Sequence, residues 1–501
     1  MAELAVNLTA PNGTTWLQPT GLFINNEFTK SSTDATIVTV DPATEREIAT
    51  VQAASAEDVD KAVQAAYAAF RRPDWKKLSA TDRGKLMFRL ADLIESNKTL
   101  FATIDAWDNG KSYLEALTND LEEAIGVIRY YAGWCDKIFG QTIPVPNKFA
   151  YTVRQPIGVV GQIIPWNYPL SMATWKLGPA LACGNTVVIK AAEQTPLSIL
   201  ILGTLIKEAG FPPGVVNIIN GYGRDAGAAL AQHPLVDKVA FTGSTATATQ
   251  IMKMAASTLK NITLETGGKS PLLVFDDADL EQAVKWSHLG IMSNQGQICT
   301  ATSRILVQKK IYNEFVERFV AEVKKTSKVG HQWDAETYQG PLVTKTQHDR
   351  VLAYIESGRV AGAAIATGGH AITDIGDGKG YFVAPTVFIN VKNDMQIWRE
   401  EIFGPVAVIS EFEEEEEAIR SANDTVYGLG AAVFTTNLER AHRVASEIEA
   451  GMVWINSSQD CDPRVPFGGV KQSGIGRELG EAGLEGYSQI KAIHVNMGNR
   501  L

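Results

Sequence analysis

Cys299 sits in the run Ser293-Asn294-Gln295-Gly296-Gln297-Ile298-Cys299-Thr300, a polar stretch with a glycine, where a thiol has room to react. Cysteine is also among the most buried residue types and packs as a small hydrophobe, so the thiol alone says little and its partners decide. Glu265 stands in Leu264-Glu265-Thr266-Gly267-Gly268, at the exit of an apolar run where the backbone must turn, and carboxylates at strand ends often face clefts. Beside an acylated thiol such a carboxylate would draw a proton from attacking water; alone it would read as a surface residue or a cap. Asn167, in Pro165-Trp166-Asn167-Tyr168, offers a neutral amide donor. A loop Asn before an aromatic is commonly turn chemistry, but an N–H aimed at a developing alkoxide is worth ~3 kcal/mol of transition-state stabilisation. The three are candidates for nucleophile, base and oxyanion donor, each with a structural reading beside it.

A fourth segment, Phe241-Thr242-Gly243-Ser244-Thr245, is a strand entering a glycine turn before a helix, the arrangement that presents backbone N–H groups to a phosphate. It is not a GxGxxG fingerprint and is weak alone. It gains from Lys190 and Glu193, which follow the run Thr186-Val187-Val188-Ile189 at the position where ribose hydroxyls are commonly read.

These residues need elements to hold them. From about Val153 short β-branched runs alternate with longer amphipathic stretches: IGVVGQII, NTVVIK, GVVNIIN, DKVAFTG and NITLET. Strand-length, continuously apolar runs are what parallel strands covered on both faces require, so the pattern predicts a doubly wound α/β, Rossmann-like nucleotide-binding sheet. Ser55 to Trp134 has helical spacing with few strand-like runs and predicts packing helices on the same domain. After Gly268 a second alternation (SPLLVFDDADLEQAV, RILVQKKIYNEFVERFVAEV, GPVAVISEF, GMVWINS) predicts a second α/β domain, with the hinge near Glu265. The acidic run Glu413 to Glu417 reads as the solvated start of a helix.

At 501 residues the chain has room for two or three domains, and 45% hydrophobic with 20% charged residues places it among ordinary globular proteins. A net charge of −10 argues against nucleic acid or an anionic membrane and leaves a small molecule as substrate. Cys135, Cys183, Cys299 and Cys461 show no CxxC spacing, so neither a metal site nor a disulfide framework is expected. The first thirty residues carry no signal or transit pattern, no apolar run approaches a membrane span, and Asn499-Arg500-Leu501 is not a peroxisomal signal; a cytoplasmic location is the expectation.

Taken in order along the chain, PWNYP, KLGPALACGNTVVIKAAEQTP, EAGFPPGVVNIINGYG, FTGST, LETGGKSP, NQGQIC, EEIFGPV, PFGGVKQSGIGRE and ELGEAGLEGY resemble the aldehyde dehydrogenase superfamily, from roughly Leu22 to Val495. The resemblance implies Cys299 as nucleophile, Glu265 as general base, and Asn167 with the Cys299 backbone N–H as oxyanion hole. It implies oxidation of an aldehyde to the acid through a thiohemiacetal and an acyl-thioester, with a polar turn and a nearby base raising the thiolate fraction. Lys176 and Glu478 match positions linked to a proton pathway behind the base, and an ion pair that merely joins domains fits them equally well.

For the cofactor, NAD, the resemblance implies contacts from Ile163, Ile164, Pro165, Trp166, Lys190, Glu193, Gly223, Gly227, Phe241, Thr242, Gly243, Ser244, Thr245, Ala246, Thr247 and Ala248. Gln347 and Arg350 are further implied cofactor contacts, and Glu401 and Phe403 would hold the nicotinamide side. Glu193 would repel a 2′-phosphate, making NADP the poorer alternative, although Lys190 could help one. Ala248 stands where relatives usually have a second glycine, and Ala246 where Glu is common. The implied aldehyde tunnel is Tyr168, Met172, Trp175, Ser293, Ile298, Thr300 and Cys461, apolar and less aromatic than in the most hydrophobic relatives, which points to aliphatic aldehydes such as acetaldehyde.

The expected domains are 1–134 with 153–267 for NAD, 268–479 for catalysis, and 135–152 with 480–501 as an element that pairs subunits into a homo-oligomer, a tetramer before a dimer. Three rivals remain. An acylating enzyme would hand the thioester to coenzyme A and have no use for Glu265; a Cys/His hydrolase lacks its signatures; a retired, purely binding protein would not need Cys299, Glu265 and Asn167 intact.

Overall fold

Five runs of β-branched and apolar residues, Val159–Ile163, Thr186–Lys190, Val216–Ile219, Lys238–Thr242 and Asn261–Glu265, form the parallel centre of an eight-stranded sheet. The first four are buried along their whole length, as expected of strands covered on both faces. In space the order is fifth, fourth, first, second, third. The chain therefore changes direction between Val159–Ile163 and Lys238–Thr242, and ligands of open α/β sheets bind beyond the carboxyl ends of strands at such a switch point. Register sets Thr242 beside Glu265 and Phe241 beside Ile163, so the key strand ends share one edge. This is the doubly wound sheet that the sequence predicts. The computed structural model of the chain describes residues 4–498 and Arg500; the terminal residues Asn499 and Leu501 read above lie outside the described residues.

The N-terminal part holds more β-structure than its composition suggested. Leu22–Ile24 and Glu27–Thr29 extend the first sheet by an antiparallel edge, and Ala5–Thr9 with Thr15–Pro19, and Thr36–Val40 with Glu47–Gln52, form two further two-stranded ladders. The helices Ala56–Arg71 and Ala80–Ser96 follow as expected; Ser55 starts the first with a reciprocal capping box to Asp58. The helix Pro169–Ala182 is buried at every position, which lets a single side chain on it, Lys176, reach from the first sheet toward the end of the chain.

Beyond Gly268 a seven-stranded sheet runs Ala364–Thr367, Thr386–Ile389, Val406–Phe412, Arg304–Gln308, Pro271–Val274, Gly430–Phe434 and Met452–Ile455, parallel except for its first pair. The acidic run begins the helix Glu415–Asn423, with Glu415, Glu416 and Glu417 in its first turn. Glu265 closes a strand of the first, while Gly268, Cys299 and Phe403 lie just before strands of the second.

The boundaries differ from those expected. Gly474–Ile475 pairs antiparallel with Leu264 and Glu265, so the chain has returned to the first sheet before residue 479. Helix Gly480–Glu485 packs on Pro169–Ala182, and Cys135 is buried with its Sγ 3.6 Å from Met87 Sδ, so both segments lie against the first domain. A separate three-stranded antiparallel sheet is formed by Thr142–Val145, Lys148–Pro156 and Ser488–Asn496, the last two paired over nine positions. Among the described residues no helix is long and apolar enough to cross a membrane.

Candidate active site

A cavity of about 780 Å³ opens where the two sheets meet, and Cys299, Glu265 and Asn167 all line it. The turn that carries Cys299 is built from residues in unusual backbone states. Asn294, Gln295 and Gly296 have φ of 48°, 57° and 68°, three left-handed residues in succession. Their side chains hold the turn: Asn294 Nδ2 donates to Asn167 O at 3.1 Å, and Gln295 Nε2 donates to Pro341 O at 3.4 Å. Gly296 is needed because a Cβ would lie 2.0 Å from Gly404 O, and Gly268 because a Cβ there would lie 2.5 Å from Cys299 O. The nucleophile candidate is thus fixed by close backbone approaches on two sides.

Asn167, 6% exposed, spends one amide N–H on Gln297 O at 2.9 Å. A side-chain amide has two N–H groups, so the bond that aims the side chain leaves the other for a ligand. Glu265, 4% exposed, has Oε1 buried without a hydrogen-bond partner. Burial, the neighbouring Glu478 and, more weakly, Glu401 push Glu265 up to about 8, against the pull of Lys176 and a contact with Cys299. A carboxyl so placed exchanges its proton near neutral pH, as a general base must.

The expectation for the thiol needs correction. Burial, then the charges of Glu265 and Glu401, push Cys299 well above its ordinary value. The turn does not favour the thiolate, because the charges facing the sulfur are carboxylates rather than cations. Cys299 therefore rests as a thiol, and its proton has to be taken at the moment of attack.

Behind the base, Lys176 Nζ lies 2.6 Å from Glu478 Oε1 and 2.6 Å from Thr242 Oγ1, with the two charged side chains 0% and 3% exposed. Lys176 and Glu478 are an ion pair that ties the helix Pro169–Ala182 to the chain's last part. Through the charge of Glu478 the same pair acts on Glu265.

Along the carboxyl edge of the first sheet the residues expected to hold the cofactor form a cradle. Ser244 caps the helix Thr245–Ala255, its side chain accepting from Thr247 N, so the helix N-terminus faces the cavity wall at Thr242, Gly243 and Ser244. A Cβ on Gly243 would come within 2.6 Å of the Phe241 ring, which would have to shift to make room. Ala248 is buried inside the helix, small enough for the turn to form without a second glycine. Lys190 Nζ donates to Glu193 Oε2 at 3.2 Å, and Gly227 lies against the Lys190 stem. Burial lowers Lys190 and its charge is spent on Glu193, which weakens the help it was expected to give a 2′-phosphate.

The opposite wall comes from the second sheet. Glu401 Oε1 accepts the Gly268 N–H at 3.1 Å, and a Cβ on Gly267 would meet Glu401 Oε2 at 2.3 Å. Gln347 Nε2 donates to Phe403 O at 2.8 Å, Arg350 donates to Glu401 O at 3.2 Å, and the Phe403 ring stands edge-on to Trp166, centroids 5.3 Å apart. The cradle fits a dinucleotide: glycines where backbone must approach phosphate, a helix N-terminus, and a carboxylate for hydroxyls.

Pro165, Trp166, Thr242, Gly243, Ser244, Gln347, Arg350, Glu401 and Phe403 reach the cavity itself. Ile163, Ile164, Lys190, Glu193, Gly223, Gly227, Phe241 and Thr245 to Ala248 lie along the sheet edge outside it, with Gly223 in open space. All seven tunnel residues line the cavity. Thr300 Oγ1 donates to Gln459 Oε1 at 2.5 Å, Ser293 Oγ lies 3.1 Å from the Tyr338 hydroxyl, and Trp175 packs edge-on to Phe467 at 4.8 Å. The sequence reading missed Asp120, Glu123, Trp286, Gln459 and Phe467, which also line it. Asp120 and Glu123 were visible only as neighbours at helical spacing, on a helix with no other sign of chemistry. The wall is correspondingly less apolar than expected.

A model of the aldehyde dehydrogenase family matches residues 28–493. An aldehyde dehydrogenase of Alternaria alternata is 51% identical over 499 residues, covering 99% of each chain. Retinal dehydrogenase 2 of Mus musculus is 50% identical over 500 residues, 99% of this chain and 95% of that one. Among solved structures, the NAD+ complex of an aldehyde dehydrogenase from Bacillus cereus superposes with a TM-score of 0.93 at 49% identity, covering 95% of this chain and 96% of that one.

Proposed function

The chain belongs to the aldehyde dehydrogenase family, and on that premise we propose that it oxidises an aliphatic aldehyde to the carboxylic acid with NAD, through a covalent intermediate on Cys299. The observation that carries this reading is that a half-buried thiol, a buried carboxyl and the Asn167 amide line one cavity, with the Glu265 carboxyl pushed up to about 8.

Cys299 attacks the carbonyl carbon as Glu265 takes its proton, so no free thiolate has to wait in a pocket of carboxylates. The oxygen, now an alkoxide, rests on the second N–H of Asn167 and on the Cys299 backbone N–H. What NAD supplies when bound is two-electron oxidation of the carbon held on sulfur. Once the thioester has formed, Glu265 releases that proton to solvent and then takes one from water; the water oxygen bonds to the thioester carbon, the C–S bond breaks, the leaving thiolate regains the proton from Glu265, and the acid is released. Lys176 and Glu478 act on this sequence from behind, through the charge they place beside Glu265.

Glu401, Phe403, Gln347 and Arg350 would hold the nicotinamide side, Thr242 to Ser244 the phosphates, and Glu193 the ribose hydroxyls, which makes NADP the poorer cofactor. The sheet of Thr142–Val145, Lys148–Pro156 and Ser488–Asn496 leaves Ile143, Phe149 and Ile490 exposed. We read it as the surface that joins subunits, to a tetramer before a dimer; sedimentation of a monomer would contradict that.

The direct test is product stoichiometry with NAD and acetaldehyde or butanal, with and without coenzyme A. One NADH and one carboxylic acid per aldehyde are expected. Acyl-coenzyme A as the main product, or no NADH, would overturn the reading.

A further inference from the structure

Cys299 and Thr300 are the two central residues of a turn closed by the Ala301 N–H, which donates to Ile298 O at 3.0 Å. Asn294, Gln295 and Asn167 grip the chain on its way into this turn. On the way out it is gripped by a different segment, the loop that follows the strand Met452–Ile455. Gln459 Oε1 accepts from the Thr300 hydroxyl at 2.5 Å, while Nε2 donates to Thr300 O at 3.0 Å and to Gly290 O at 3.3 Å. Beside it, Thr302 Oγ1 lies 3.3 Å from Ser458 Oγ, with both residues 0% exposed. Carbonyls can only accept, so Thr300 O and Gly290 O fix which end of the Gln459 amide faces them, and the Thr300 hydroxyl donates to the other end. A carboxylate of the same reach would lose both carbonyl contacts, and an aliphatic chain all three.

The loop that makes this grip is itself held. Asn456 N–H donates to Val433 O at 2.9 Å, and its side chain accepts from Thr435 N and donates to Thr435 O, each at 3.0 Å. Asn456 and Gln459 have φ of 58° and 67°, left-handed states that residues with a Cβ keep only where their surroundings impose them. Past Gln459 the same loop supplies Asp460 and Cys461 to the cavity wall, and Asp460 O accepts from Trp454 Nε1 at 3.0 Å. One strained segment therefore joins the cavity wall to the residue that follows the nucleophile.

Resting on the reading of Cys299 as nucleophile, we propose that Gln459 is a positioning residue for carbonyl addition: its grip on Thr300 fixes the Ile298–Cys299 peptide and so aims the Cys299 N–H at the alkoxide that forms when sulfur attacks. The carbonyl of that peptide is spent on Ala301, and its N–H is the donor assigned to the alkoxide. A turn free to roll about Thr300 would carry the N–H off line while leaving the thiol in the cavity. Such a donor acts only within about 2.7–3.1 Å of the place the oxyanion comes to occupy, so a small roll is costly.

The test sets two reactions of the same sulfur side by side. Oxidation of butanal passes through an alkoxide; alkylation by iodoacetamide forms a C–S bond as iodide leaves, with the thiol proton lost to a base, and makes none. Gln459→Leu is expected to lower kcat/KM for butanal by about 10–100-fold, the range of one misaimed donor, while alkylation of Cys299 stays within about twofold of wild type. Alkylation is followed by the mass of the peptide that holds Cys299, and NAD affinity, measured by calorimetry, is expected to be unchanged. Thr300→Val, which removes the hydroxyl alone, is expected to show a smaller loss of the same kind, and Thr300→Ser to restore the rate. An undiminished kcat/KM in Gln459→Leu, a parallel fall in alkylation and oxidation, or a Thr300→Ser no better than Thr300→Val would each overturn the proposal. Oxidation of no aldehyde by wild type would overturn the reading of Cys299 with it.

Discussion

Glu265→Gln, followed across pH, probes the step on which the chemistry turns. The carboxyl is pushed up to about 8 from an ordinary 4.5, chiefly by burial. The sign follows directly: a raised acid holds its proton longer, so the base form accumulates only as pH rises. A group with that pKa is ~1% ionised at pH 6 and about half ionised at pH 8, so a rate that needs the base should climb roughly 50-fold over that range. A carboxylate at its ordinary value would be fully ionised throughout and give a flat line. Initial rates of NADH formation at saturating NAD, read as kcat/KM for the aldehyde, supply the profile. The amide should lower the rate by ~10²–10⁴, the usual size of a general-base contribution, and should flatten the dependence. A wild-type profile that is already level from pH 6 to 8, or a variant that keeps the wild-type slope, would refute the argument.

Lys176→Met should strand Glu478 as an unpaired buried charge and cost ~3–5 kcal/mol of stability, while adding Glu478→Gln should restore part of it; denaturation of the two variants checks this, and a double variant less stable than the single would count against it. Asn167→Ala should lower kcat/KM by ~10²–10³ through loss of one oxyanion donor, with NAD affinity, followed by tryptophan fluorescence, little changed. Glu193→Ala should lower the NAD to NADP ratio of kcat/KM by about tenfold by removing the carboxylate that repels a 2′-phosphate; an unchanged ratio would place cofactor choice elsewhere.

The features legible in the sequence are those set by local chemistry. Val159–Ile163 and Lys238–Thr242 were visible because fully buried parallel strands must be continuously apolar, and the turns after them because Asn167 and Gly243 sit where the chain leaves the sheet. Leu22–Ile24, only three residues long, carries too little pattern to be seen, and it is a strand because an edge of the first sheet is there to receive it. The return of Gly474–Ile475 to Glu265 depends on a pairing across more than two hundred residues, which spacing does not encode. Glu123 was hidden for a related reason: on its helix it is one acid among several, and only packing against Cys461 turns it into part of the wall. The state of Cys299 was misjudged because its sequence neighbours are polar while its spatial neighbours, Glu265 and Glu401, are acids.

The most direct test of the central claim is NADH formation by wild type and Cys299→Ala with saturating NAD and an oxidisable aldehyde, alongside NAD affinity measured by calorimetry. Cys299→Ala should bind NAD as wild type does, since the cradle lies on other segments, and should form NADH only at the background rate. Dehydrogenation retained by Cys299→Ala would contradict the account.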